Sequence, residues 1–263
     1  MKGYWAIVSA RFRTLLQYRA AAFAGLCTQL FWGLIRVMIF SAFYRSTTSA
    51  QPMAFSQVVI YIWLGQAFLL LVPMRPDEDV QAAIRTGTVA YELVRPLDLY
   101  GLWYCRALAQ RVAPTLLRAV PLLSIVICLG GLKAPPSLAS GLAWAVAMPG
   151  AFLLSTAFAT LMTISLLWMI SGDGIARIAP SVIYVFSGMI VPLPLFPGWA
   201  QPVLNALPFR DLIDVPFRLY AGNISPDQIG FVLAHQAVWT AAMVLLGRLL
   251  LTRGTRRLVV QGG

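Results

Sequence analysis

Long apolar stretches separated by short polar ones dominate this sequence and restrict the folds open to it. A helix of about 20 apolar residues crosses the hydrocarbon core of a bilayer, and six stretches of the chain approach or exceed that length. Only 11% of the 263 residues are charged, whereas roughly a quarter are charged in a typical soluble domain. We therefore predict an all-α integral membrane protein with six transmembrane helices, at 20–44, 56–72, 106–129, 138–170, 175–191 and 228–251.

Two further segments show membrane-related patterns without forming a span. On a helical wheel, residues 1–19 place apolar side chains such as Trp5 on one side and polar or basic ones such as Lys2 on the other. This predicts an amphipathic interfacial helix, and a plain basic tail is the alternative. The 192–216 segment holds six prolines and few charges, which predicts short re-entrant or interfacial helices between spans five and six. No repeat or soluble domain interrupts 1–263, so we predict one transmembrane domain.

The distribution of lysine and arginine predicts the topology. Fourteen of these 20 residues lie at one set of span ends and four at the other, while Arg36 and Arg118 fall within spans. Loops on the cytoplasmic side are enriched in lysine and arginine, so both termini are predicted to be cytoplasmic. The same clustering at span ends accounts for the net charge of +11 without a solvated basic face, and nucleic acid is not an expected partner.

Residues 75–99, RPDEDVQAAIRTGTVAYELVRPLDL, form a charged island that holds five of the nine acidic residues. Asp77 is predicted to cap a short helix that Gly87 ends, and Asp98 to cap the helix of the third span. A second helical turn is predicted at 89–94. Large apolar side chains lie among these charges, a mixture typical of a docking surface with apolar anchors and a polar rim. A solvated linker is the alternative interpretation.

The chemistry that the sequence lacks narrows the possible functions. No G-x-x-x-x-G-K-[ST] phosphate loop is present, so the chain is not expected to hydrolyse ATP by itself. The acidic residues all fall in loops or at predicted span ends, which argues against a carrier driven by an ion gradient. Three dispersed cysteines and a single histidine, His235, indicate neither a metal site nor a disulfide framework. We interpret His235 as a helix-packing residue.

Arg36 and Arg118 are the two basic residues predicted at membrane depth. Charged residues inside a membrane commonly mark a translocation path, so both are candidates for its lining. A structural arginine is the alternative, bonded at Arg118 to carbonyls freed by nearby prolines or to a second subunit. At Arg36 the side chain is also close enough to the outer end of its span for its charge to reach the interface.

Several motifs follow one another along the chain. They are the basic amphipathic start, R-T-G-T-V-x-Y-E-L-V-R-P-L-D at 85–98, S-G-D-G at 171–174, F-S-G-M-I-V-P-L-x-L-F-P at 186–197 and L-P-F at 207–209. In this order they resemble the permease subunits of bacterial ABC exporters with the six-span type-two fold. The resemblance covers essentially the whole chain.

The resemblance implies that the island carries a coupling helix that docks on a separate cytoplasmic ATPase dimer. ATP and magnesium would bind to that partner, and this chain would hold no cofactor, no metal and no catalytic residue. A second permease, identical or related, would complete the transporter in the plasma (inner) membrane of a bacterium. The implied coupling residues are Arg85, Gly87, Tyr91, Glu92, Arg95, Pro96 and Asp98.

The broken segment after span five would form an external gate beside the translocation path. The implied gate residues are Gly188, Pro192, Pro194 and Pro197. An ion-gradient-driven carrier or channel is the alternative function. No residue favours a third possibility, a scaffold or enzyme subunit without transport activity.

Overall fold

The computed structural model describes residues 9, 19–94, 96–168 and 173–256 of the chain, and the regular structure within these ranges is helical. The predicted interfacial helix at 1–19 and the first two residues of the S-G-D-G turn therefore lie almost wholly outside the described residues. The α-helices of the described ranges are α1 (Arg19–Ser46), α2 (Phe55–Ala67), α3 (Glu78–Arg85), α4 (Ala90–Leu93), α5 (Leu99–Cys128), α6 (Leu138–Ser165), α7 (Asp173–Phe186), α8 (Gln201–Ala206), α9 (Asp214–Tyr220) and α10 (Ile229–Thr255).

Four helices in the described ranges are long and apolar enough to cross a membrane, which makes this a multi-pass membrane protein. They cover Phe23–Ser46, Leu99–Cys128, Leu138–Trp168 and Pro226–Thr255. These are the predicted spans one, three, four and six. The predicted spans two and five correspond to α2 and α7, which have only 13 and 14 residues. At about 1.5 Å per residue, each of these helices is roughly 20 Å long.

The short helix α2 lies at the centre of the bundle. It packs against α1, α5 and α9, and Tyr61, Ile62 and Leu64 are buried in the main apolar core. A short 3₁₀ turn, Leu69–Leu71, continues it toward the island. Neighbouring helices surround α2 and keep the backbone groups at its ends out of lipid. The helix can therefore be shorter than the bilayer is thick.

Helix α6 forms the main axis of packing, with α10, α5 and α9 along its sides. The bundle has two ends, which we call the island end and the far end. Two contacts mark the far end. Gln57 of α2 donates to the Ala221 carbonyl at 3.3 Å, and Asn223 donates to the Pro52 carbonyl at 3.2 Å. The connection between α7 and α10 closes this end.

That connection is broken into short helices, as its prolines predict. It contains α8, α9 and four 3₁₀ turns, which are Leu193–Leu195, Gly198–Ala200, Pro208–Leu212 and Pro226–Gln228. Proline stands near the first position of several of these turns, where its missing N–H costs no hydrogen bond. The segment can therefore reverse direction repeatedly while its backbone stays packed against α6 and α10.

Candidate functional site

The charged island has an inner face that packs against the long helices. Val80 of α3 and Val89 before α4 are buried in a small apolar core at this end. The core is completed by residues of α5, α6 and α10: Tyr100, Leu102, Trp103, Ile164 and Leu251. Burial of apolar surface favours keeping these groups together. The inner face of the island is therefore packed against three membrane-length helices.

Asp77 fixes the start of α3 and ties it to two of these helices. Its Oδ1 accepts hydrogen bonds from the backbone N–H groups of Asp79 (3.0 Å) and Val80 (3.3 Å), so the predicted cap is confirmed. Its Oδ2 accepts from Gln110 Nε2 of α5 at 3.1 Å. Its own N–H donates to Thr163 Oγ1 of α6 at 3.0 Å. One residue thus joins the island to α5 and α6.

Asp98 confirms the second predicted cap, at the start of α5. Its Oδ2 accepts from the Gly101 N–H at 2.8 Å and forms an ion pair with Arg248 of α10 at 3.2 Å. With this cap the helix begins seven residues before the predicted third span at 106–129. Both side chains of the ion pair are about half exposed, so the pair itself contributes little stability.

Glu92 points inward, toward α5. Its Oε1 pairs with Arg106 Nη1 at 2.6 Å, and its Oε2 accepts from Trp103 Nε1 at 2.8 Å. The carboxylate is mostly buried, and it fixes the short helix α4 to the first turns of α5. A direct contact between Glu92 and the ATPase stays a prediction. The pairing of Glu92 with Arg106 and Trp103 was not predicted from the sequence.

The outer face of the island is exposed and partly apolar. Tyr91 is 72% exposed and Val94 81% exposed. Gly87 turns the chain between α3 and α4 with a φ of 73°, in a region that favours glycine. Arg85 and Pro96 are exposed beside these residues, and Arg95 lies outside the described residues.

We expect Glu92→Ala to loosen α4 without unfolding the bundle. The change removes two hydrogen bonds to a buried charge, worth about 1–3 kcal/mol, while the apolar core below the island remains. Hydrogen exchange of the amides at 89–94 should become faster. The matched control is Glu78→Ala, because the Arg75–Glu78 pair at 3.5 Å is largely exposed and worth little. Equal exchange in both variants would contradict this role of Glu92.

At the far end, the carbonyls that follow α7 accept hydrogen bonds from two neighbouring helices. Tyr61 of α2 donates to the Gly188 carbonyl at 3.1 Å. Arg36 of α1 donates through Nη2 to the carbonyls of Met189 and Ile190, the latter at 2.6 Å. These carbonyls follow a helix C-terminus, where a positive charge is favourable. Arg36 therefore joins α1 to the candidate gate instead of standing alone in the membrane.

Asp214, the first residue of α9, is the acceptor at the centre of this end. Its Oδ1 accepts from Tyr61 OH at 3.2 Å and from the Leu193 N–H at 3.0 Å, and its Oδ2 pairs with Arg218 at 3.1 Å. The carboxylate is buried. Burial raises the pKa of Asp214, while Arg218 and the Leu193 N–H act in the opposite direction.

Asp211 is a second buried carboxylate in the same segment. Its Oδ2 accepts a hydrogen bond from His235 Nδ1 of α10. His235 Nε2 accepts from Trp239 Nε1 at 3.2 Å, and because indole can only donate, the proton of a neutral His235 lies on Nδ1. Burial raises the pKa of Asp211, and His235 opposes that shift. Both carboxylates lie between the spans, as the sequence predicts, but their burial was not predicted.

The four candidate gate residues lie within residues 188–197, between α7 and α8. Gly188 is buried with a φ of 85°, and Pro192 is buried at the start of the turn Leu193–Leu195. Pro194 is half-buried and Pro197 is exposed. Gln201 of α8 holds the turn closed by donating to the carbonyls of Leu193 (2.8 Å) and Phe196 (3.1 Å). Their function as a gate stays a prediction.

Arg118 is not brought together with Arg36. Its guanidinium lies against Gly25 of α1, 11 residues before Arg36 and thus about 16 Å away along the helix. Gly25 is close to the first residue of the candidate span Phe23–Ser46, and Arg118 is half-buried. Among the described residues it has no hydrogen-bonding or ion-pair partner. The two arginines therefore do not form one site within this chain.

Arg111 is a buried charge that sequence reasoning assigned to a span end. Its Nε donates to Ser155 Oγ of α6 at 3.1 Å and its Nη1 to the Ala107 carbonyl at 2.8 Å. Ser155 Oγ in turn donates to the Leu71 carbonyl in the 3₁₀ turn that follows α2. The sequence could have indicated this position, because a helix that starts after the Asp98 cap places Arg111 more than three turns inside α5.

Comparison with known proteins adds an independent observation. A family model described as "ABC-2 family transporter protein" matches residues 30–262, which is most of the chain and includes both the island and the far end. No curated protein matches the sequence.

Proposed function

Since the chain belongs to the ABC-2 family of transporter proteins, and is thus a transmembrane permease of an ABC transporter, we propose that it exports its substrate with energy from a separate ATPase. Membership of this family implies partnership with an ABC ATPase. We propose in addition where that ATPase binds, in which direction the substrate moves and along which helices the coupling motion runs.

The observation that carries the proposal is the two-faced structure of the island. Its inner face is fixed to α5, α6 and α10 by Val80, Val89 and Asp77. Its outer face presents Tyr91 and Val94 to solvent. Exposed aromatic and aliphatic anchors with a polar rim suit the core of a protein–protein contact. We assign this face to the ATPase.

The coupling motion would run along α6 and α10, which reach from the island to the far end. At the far end, Gln236 of α10 donates to the Ala147 carbonyl of α6 at 3.1 Å and to the Asp211 carbonyl at 3.2 Å. Closure of the nucleotide sites would push the island, and the two helices would carry that displacement to the segment around Asp214. That segment, with Gly188, Pro192, Pro194 and Pro197, is our candidate external gate.

The proposed transporter has two permeases in a bacterial plasma membrane. The shorter helices α2 and α7 complete six spans, both termini are cytoplasmic, and the far end is external. Large apolar side chains of α1 such as Phe31, Trp32 and Met38 are exposed, and they would face lipid or the second permease. Arg118 would then contact the transported molecule or a group supplied by that second permease.

An ion-gradient-driven carrier is the second candidate, and one observation favours it. Asp211 and Asp214 are buried carboxylates, the kind of group that proton-coupled carriers use. Both are already paired within the chain, with His235 and Arg218, so neither is a vacant ion site. Uptake driven by a pH gradient into liposomes that contain this chain alone would favour the carrier.

The test of the ATPase contact replaces the two exposed anchors together. We expect Tyr91→Ala with Val94→Ala to reduce the ATPase recovered with the purified permease about tenfold or more, since truncation of a central anchor costs about 2 kcal/mol or more. Trp199→Ala is the matched control, because Trp199 is equally exposed but lies at the far end. Unchanged recovery in the double variant would contradict the assignment.

A further inference from the structure

The far end contains a cleft beside the candidate gate, and its wall combines apolar residues with arginine and amide side chains. Its volume is about 510 Å³, within the range of about 300–1,000 Å³ that is usual for small-molecule sites. Three separate parts of the chain form it: the loop at Pro52, the segment from 194 to 218 and the loop before α10. Two arginines and three amide side chains lie in its wall: Arg210, Arg218, Gln201, Asn205 and Gln228.

The charges of this region are arranged with the positive groups toward the cleft. The carboxylates of Asp211 and Asp214 are 2% and 1% exposed, while the guanidinium side chains of Arg210 and Arg218 are 15% and 20% exposed. The carboxylates therefore lie behind the arginines, away from solvent. A ligand in the cleft meets the guanidinium groups first, at short distance and with limited screening by water.

Both arginines keep hydrogen-bond donors for a ligand. Arg218 uses Nη1 for Asp214 and Nε for Asn223 Oδ1 at 2.7 Å. Arg210 uses Nη1 for the Asn205 carbonyl at 3.3 Å and for Asn205 Oδ1 at 2.6 Å, and its Nε lies 4.0 Å from Asp211 Oδ1. A guanidinium has five N–H donors in a rigid fork, and the Nη2 groups of both residues donate to no other described residue. These internal bonds hold the forks in place, which reduces the entropy lost when a ligand binds.

We propose that this cleft binds a phosphate group through Arg210 and Arg218. Planar forks with several free N–H groups suit phosphate oxygens, and the amides of Gln201, Asn205 and Gln228 suit the hydroxyl groups of a glycerol or sugar attached to that phosphate. The phosphate belongs to a lipid headgroup or to a water-soluble phosphate ester. The inference stands independently of the export direction and of the ATPase contact.

The test uses the full chain in phosphatidylcholine nanodiscs and titrates glycerol 3-phosphate, with glycerol as the uncharged reference. Ligand that binds only the folded state raises the midpoint of thermal unfolding, so a rise with glycerol 3-phosphate alone is expected. Arg210→Gln should weaken its apparent affinity about tenfold or more. Gln228→Glu should also weaken this affinity, because it places a negative charge in the wall of the cleft. The position is exposed, so the change disturbs no buried ion pair. Arg253→Gln, an exposed charge at the island end, should leave it unchanged.

A second arm separates the two sources of phosphate. Nanodiscs made from phosphatidylcholine and phosphatidylglycerol are analysed by native mass spectrometry for the lipids retained on the protein. If phosphatidylglycerol is retained on the protein and Gln228→Glu abolishes that retention, the bound phosphate is that of a lipid headgroup. If the protein responds to glycerol 3-phosphate alone, the bound phosphate is that of a soluble ester. The proposal is overturned if neither probe binds, or if the three variants bind both probes equally well.

Discussion

Gly188→Ala should strongly destabilise the far end, and it is one of the two largest effects that we expect from a single change. Gly188 has a φ of 85°, which costs a residue with a side chain about 1–2 kcal/mol. An added Cβ would also overlap Tyr61 OH and come within 3.3 Å of Asp214 Cβ. Overpacking of a buried site costs about 1–3 kcal/mol more. We expect a lower midpoint of thermal unfolding and little monodisperse protein in detergent.

Two other glycines separate the contributions to this effect. Gly198 has nothing within 4 Å of an added Cβ and no positive φ, so Gly198→Ala should be neutral. Gly87 also has open space but a φ of 73°, so Gly87→Ala should show the conformational cost alone. If Gly188→Ala is no more destabilising than Gly87→Ala, the close packing of Tyr61 against this turn is not what holds the far end together.

Asp214→Ala should be comparably damaging. It leaves the guanidinium of Arg218, the hydroxyl of Tyr61 and the N–H of Leu193 without their shared acceptor. Removing one partner of a buried ion pair costs about 3–5 kcal/mol. The midpoint of thermal unfolding should fall accordingly, and Asp227→Ala, a change at an exposed acid of the same end, should leave it unchanged.

Two further variants test the cause of this loss. Asp214→Asn keeps an oxygen for Tyr61 and Leu193 but removes the charge that Arg218 requires, so its effect should be intermediate. Asp214→Ala combined with Arg218→Met should recover part of the stability, since replacing both partners of a buried pair costs less than removing one. A double variant less stable than Asp214→Ala alone would show that Arg218 stabilises this end without Asp214.

Features set by neighbouring residues were predictable from the sequence. Asp77 and Asp98 cap helices because an acidic side chain can accept from N–H groups two or three residues ahead. Gly87 ends α3 because its backbone adopts a conformation unfavourable for other residues. The prolines of 192–216 likewise break that segment into short helices, since each removes an N–H donor.

Features set by distant partners were not predictable in the same way. The inward direction of Glu92 depends on Trp103 and Arg106 in the next helix, and nothing in the sequence of the island itself specifies it. The contact between Asp211 and His235 joins residues 24 positions apart. The length of α2 depends on the helices around it, because a surrounded helix can be shorter than an isolated span.

The burial of Asp214 could have been inferred. It lies in a segment that the sequence already marks as too apolar for a water-exposed loop, and Arg218 follows it by four residues, one turn along a helix. An acid and a base at that spacing within an apolar segment indicate a buried ion pair. The same reasoning would have identified Asp214 as a buried carboxylate and weakened the argument against a carrier.

The central claim is that the outer face of the island receives the ATPase. The most direct measurement places a photo-reactive amino acid at Tyr91 in the full chain in native membranes, with Trp199 as the matched position at the far end. Our account predicts that irradiation links position 91, but not 199, to a cytoplasmic protein that contains a phosphate loop. Cross-linking of position 91 to lipid alone, together with transport that continues after ATP depletion, would contradict it.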